Sequence, residues 1–143
     1  MLDWEEYRRW IAQAEHTLRS IDADIGNGSY DWACSKAQQV AELSFKALLR
    51  GAGKRAFGHD LKELYEMFRE LCGSDLLREV LSLSKFYIPA RYPDAFPGGS
   101  PYEFFTLEEA ETAREMARRV LEEVKRCASG IEEVIGGEEE REG

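Results

Sequence analysis

Arg91 and Tyr92, with Asp94 close behind, are the residues whose types and spacing best suit recognition chemistry. A guanidinium can grip a phosphate or carboxylate through two hydrogen bonds while a neighbouring phenol ring stacks on a base. The bland alternative is an internal salt bridge, from Arg91 to Asp94 or Glu103, that only folds the loop. Gln38 and Gln39 form a second candidate group with Glu42, which stands four residues after Gln38 and so shares its helix face. Polar groups on an otherwise apolar helix must find partners in a loop backbone, another helix or a ligand, and a structural hydrogen bond is the ordinary outcome. His59 lies just before Asp60 and is expected to make a turn hydrogen bond, because no acid or nucleophile is identifiable beside it for proton transfer. Arg50, Lys54 and Arg55 are the nearest thing to a basic cluster, which is slight support for nucleic acid as a partner.

Several chemistries have no residues to carry them. There is no serine-nucleophile motif and no pair of catalytic carboxylates, and the Gly53–Gly58 stretch lacks the G-K-[ST] ending of a phosphate loop. With two histidines and no recognisable ligand spacing, neither a metal nor another cofactor is expected. Cys34, Cys72 and Cys127 are odd in number and widely separated, so they are expected to be helical thiols in a reducing compartment. The net charge of −9 disfavours nonspecific binding to duplex backbones.

These residues need a scaffold, and the pattern predicts an all-helical one. At 143 residues with 43% hydrophobic and 33% charged content, the chain has the composition of one globular domain with a real core. Trp4, Tyr7, Ile11, Ala14, Leu18, Ile21 and Ile25 recur in steps of three and four, the period of a helix with one buried stripe. The next segment, 29–50, is apolar on more than one side and belongs at the centre of a bundle. Asp3 with Glu6, Asp60 with Glu63 and Thr106 with Glu109 each read as a capping box. Gly73-Ser74 separates a third and a fourth segment. The fifth runs through Leu107, Ala110, Ala113, Ala117, Val120 and Val124. Between the last two lies 88–105, which holds all four prolines and cannot be helical throughout. Its aromatics, Phe96, Phe104 and Phe105 among them, predict that it packs down. The domain is expected over 1–135, with 136–143 an acidic flexible tail. No apolar run is long enough to span a membrane and the first residues lack signal-peptide character, so a cytoplasmic protein is expected.

Three blocks carry a family resemblance. Tyr30-Asp31-Trp32-Ala33-Cys34, Ala37-Gln38-Gln39-Val40-Ala41-Glu42 and Lys46-Ala47-Leu48-Leu49 resemble the central helix of HEPN domains. Gly58-His59-Asp60-Leu61 and Tyr87-Ile88-Pro89-Ala90-Arg91-Tyr92-Pro93-Asp94 resemble the two blocks that follow it, in order. The resemblance implies an up-and-down bundle of four long helices plus a shorter one. It also implies a homodimer that works beside a minimal nucleotidyltransferase, often as toxin and antitoxin, and that can bind a nucleotide.

Some members of that family are metal-independent ribonucleases with an R-x(4–6)-H motif, two copies of which meet across the dimer. Here the positions at that distance from Arg91 are Phe96, Pro97 and Gly98, and none can move a proton near neutral pH. Arg9 and His16 do satisfy the spacing, but on the first segment, where the family does not carry its site. The resemblance therefore favours an interaction module that binds a nucleotidyltransferase. A ribonuclease with a degenerate site and a purely structural dimer are the alternatives.

Overall fold

The computed structural model describes residues 2–132. Five helices follow one another, α1 (Trp4–Gly26), α2 (Tyr30–Gly51), α3 (Leu61–Cys72), α4 (Leu77–Ser84) and α5 (Leu107–Glu142), with no strand among the described residues. The expected tail at 136–143 lies outside them. Three of the helices are long; α3 has 12 residues and α4 only 8.

α2 is the axis. It packs on α1, α3, α4 and α5, which is why it is apolar on several faces. Ala33, Ala37, Val40, Ala41, Phe45 and Leu48 are fully enclosed. Small residues let α1 and α5 come close: Ala14 on α1 and Ala110, Ala113 and Ala117 on α5 are buried at its sides. Fully burying a Leu or Phe side chain stabilises by about 1.5–3 kcal/mol, so this seam dominates the fold.

Caps set the helix ends. Asp3 Oδ1 accepts from Glu6 N at 3.1 Å and Asp60 Oδ1 from Glu63 N at 3.2 Å. Only the third box closes both ways, with Glu109 N donating to Thr106 Oγ1 and Thr106 N to Glu109 Oε1. In the first, Glu6 instead accepts from the Trp10 indole at 2.9 Å. Tyr65 ties the α3–α4 turn, its hydroxyl donating to Ser74 O and accepting from Leu76 N.

The proline-rich stretch packs down as expected. Two 3₁₀ turns, Pro93–Ala95 and Pro101–Glu103, begin at prolines. Phe96 stacks on Phe104 with centroids 4.3 Å apart, and Phe105 meets Phe86 and Phe96 edge-on. Gly99 has φ +75°, and a Cβ there would lie 2.7 Å from the Glu103 carboxylate that accepts from Ser100 N, so only glycine fits.

The cysteines are a correction. Cys72 at the end of α3 is bonded to Cys127 on α5, and only Cys34 is free. Sequence spacing says nothing of this pair, because 55 residues separate two positions that the antiparallel return of α5 brings together.

Candidate functional site: a polar stripe on the central helix

One face of α2 breaks the apolar rule at steps of three and four. Ser35, Gln38, Glu42 and Lys46 are all buried and form a single stripe. Glu42 is its centre. Its Oε1 accepts from Lys46 Nζ at 2.9 Å and lies 2.8 Å from His59 Nδ1, while its Oε2 accepts from Gln38 Nε2 at 3.1 Å. A carboxylate ion paired with a lysine can only accept, so in this contact Nδ1 is the donor and Nε2 lies outside the bond.

The turn before α3 brings His59 to this carboxylate, and the turn after α4 closes over it. Tyr87 stacks on His59 with centroids 4.8 Å apart and planes 20° apart. The Arg91 guanidinium carbon lies 4.7 Å from the centre of the Tyr87 ring. Arg91 Nε donates to Ser35 Oγ at 2.8 Å, which returns the chain of contacts to the α2 stripe. Three segments distant in sequence thus share one constellation. Two of its polar atoms are buried without a partner, Arg91 Nη2 and Gln38 Oε1.

Two clefts open beside His59. One of about 420 Å³ is lined by His59, Ser84, Lys85, Tyr87 and Ile88. The other, about 250 Å³, lies between α1 and α2 and is lined by Gln13, Thr17, Gln39, Glu42, Leu43 and His59. Among the described residues no group of three or more His, Cys, Asp or Glu side chains converges as a metal site.

The expected site residues fare unequally. Gln38, Glu42, His59 and Arg91 come together. His59 does not make the expected turn bond; it pairs with a carboxylate 17 residues earlier. Arg91 forms neither suggested salt bridge: Asp94 is exposed in its 3₁₀ turn, and Glu103 holds the loop backbone. Tyr92 is exposed beside the constellation, and Gln39 faces only the smaller cleft. Arg9 turns back to Glu6 at 3.0 Å, and His16 is exposed. Arg50 is held by Ala56 O and Trp10. Ser35, Lys46 and Tyr87 were overlooked. The polar period within an apolar helix was the signal for the first two.

Cys34, the free cysteine, is buried. Burial first, then the nearby charges of Glu109 and Asp31, push its thiol up to about 12, so it stays protonated.

Comparison with known proteins agrees with this architecture. No curated protein matches the chain. Among solved structures, TT1696 from Thermus thermophilus is 39% identical with a TM-score of 0.82, the match covering 85% of this chain and 98% of that one. The archaeal HEPN homologue ST0689 is 35% identical with a TM-score of 0.70, covering 84% and 95%. A HEPN domain protein from Thermotoga maritima is 25% identical with a TM-score of 0.67, covering 85% and 98%. The family model of the HEPN domain matches residues 7–127, and the chain therefore belongs to the HEPN family.

Proposed function

We propose that this chain is a dimeric HEPN interaction module that binds a cognate minimal nucleotidyltransferase and a nucleotide, as one half of a toxin–antitoxin type pair. Its working surface is the region around His59, Tyr87 and Arg91. The observation that supports this is the incomplete state of a costly network. Burying Glu42 and Lys46 gives little net stability compared with apolar side chains of the same volume. An unpaired buried polar atom costs a further ~1–3 kcal/mol, so Arg91 Nη2 and Gln38 Oε1 call for a reason beyond folding. A cleft lined by His59, the Lys85 ammonium and the Tyr87 ring, with the unpartnered Arg91 guanidinium nitrogen buried behind that ring, suits a phosphate-bearing, base-containing ligand.

Titrating ATP, and separately the co-purified nucleotidyltransferase, into wild type and Arg91→Ala tests this by calorimetry. Affinity should fall by ~1.5–3 kcal/mol, the range for a hydrogen bond to a charged group. The melting temperature should move little, because Arg91 makes only one side-chain hydrogen bond, to Ser35. Unchanged affinity with a lowered melting point would make Arg91 a folding residue. Dimerisation is expected from the large apolar side chains left in solvent, among them Trp32, Leu81, Ile88 and Tyr92. Light scattering after size exclusion should give the mass of two chains; a monomer mass at micromolar concentration would contradict it.

A further inference from the structure

We infer a second binding surface, distinct from the constellation above: the end of the bundle carrying Trp10, Arg50, Lys54, Arg55 and Phe57 binds single-stranded nucleic acid, with the outer face of Phe57 as a stacking platform. Phe57 is 68% exposed, more than any other large apolar side chain of the described residues. It is nevertheless held. The Arg50 guanidinium lies between two rings, 4.6 Å from the centre of Trp10 and 4.9 Å from that of Phe57. Its Nε and Nη2 both donate to Ala56 O, and Ala56 itself is buried, so the turn that presents Phe57 is pinned on either side of the peptide before it. One face of the ring therefore rests on a cation and the other is open to solvent. An aromatic ring fixed in advance loses little entropy on receiving a base, and every base has a face to stack.

The charges around it suit phosphates. Lys54 and Arg55 are exposed, and neither pairs with an acid among the described residues. Arg8 lies at the same end, 5.7 Å from the Trp4 ring, since α1 starts against the end of α2 through Asp3 N donating to Gly51 O. Three nearby acids are engaged elsewhere: Asp3 caps α1, Asp60 caps α3, and Glu6 holds the Trp10 indole and Arg9, leaving Glu5. The overall charge of −9 is no bar, because salt screens charges beyond about 8 Å at physiological strength. Ring and cations within four consecutive residues fit a single strand, whose bases are free to stack; a duplex offers no exposed base face.

The test is fluorescence anisotropy of a short labelled oligouridylate at low and rising salt. Wild type should bind, and Phe57→Leu, which keeps the apolar bulk but not the ring, should weaken binding ~10-fold while Phe57→Trp retains it. Lys54→Gln and Arg55→Gln should each reduce the salt slope by ~0.7, the value for one phosphate contact on a single strand. Arg91→Ala should leave this binding unchanged, which separates it from the nucleotide surface. Circular dichroism melts check that each variant is folded. No binding by folded wild type, equal affinity in Phe57→Leu, or loss only in Arg91→Ala would each overturn the proposal.

Discussion

Replacing Glu42 with alanine is expected to lower the unfolding free energy by ~3–5 kcal/mol, the cost of leaving one partner of a buried ion pair alone. The Glu42 and Lys46 side chains are each only 9% exposed, so solvent screens the pair weakly and the ammonium cannot reach bulk water without disturbing α2. The substitution also removes the acceptor of the Gln38 amide, whose own oxygen already lacks a partner. His59 adds nothing to this figure; its ring is exposed and can rehydrate. Urea denaturation followed by far-ultraviolet circular dichroism measures the loss. Replacing both Glu42 and Lys46 with leucine should restore most of it, since two apolar side chains leave no charge stranded. A loss below ~1 kcal/mol in Glu42→Ala would mean that Lys46 finds water and that the stripe is less enclosed than its geometry implies.

Reducing the Cys72–Cys127 bond should cost ~2–4 kcal/mol. The bond closes a loop over a separation of 55 residues, which contains all of α4, the proline-rich stretch and α5 as far as Cys127. Loop closure limits the unfolded chain, and the effect grows slowly with length. Cys127→Ser and wild type in reductant should melt alike and below oxidised wild type. A thiol titration of unfolded, unreduced protein should find one reactive group, Cys34, rising to three after reduction. Three thiols without reductant would show that the two sulfurs stay unbonded in solution.

The constellation was half legible. Gln38 and Glu42 stand four apart on an apolar helix, and that alone marks two polar groups that must meet something. His59 and Arg91 were legible as candidates only because each sits in a distinctive block. Nothing in the spacing joins them: the Arg91–Ser35 bond spans 56 positions and the His59–Glu42 pair 17. A side-chain contact between loops is set by how the helices cross, and no periodicity encodes it.

The amino-acid sequence by itself determined the helical class, the order of the segments, the central place of 29–50 and the three caps. These follow from local physics: a 3.6-residue period, the short reach of a capping side chain, the conformations open to glycine and proline. The tertiary structure decided what those elements hold between them. Antiparallel return brought Cys127 to Cys72, the turn before α3 delivered His59 to Glu42, and the turn after α4 laid Tyr87 and Arg91 beside it. It decided too that Arg50, expected as one charge of a basic cluster, would set its guanidinium between two rings and hold Phe57 out to solvent. Packing sets these outcomes, because distances between segments depend on the shape of every side chain in the core at once.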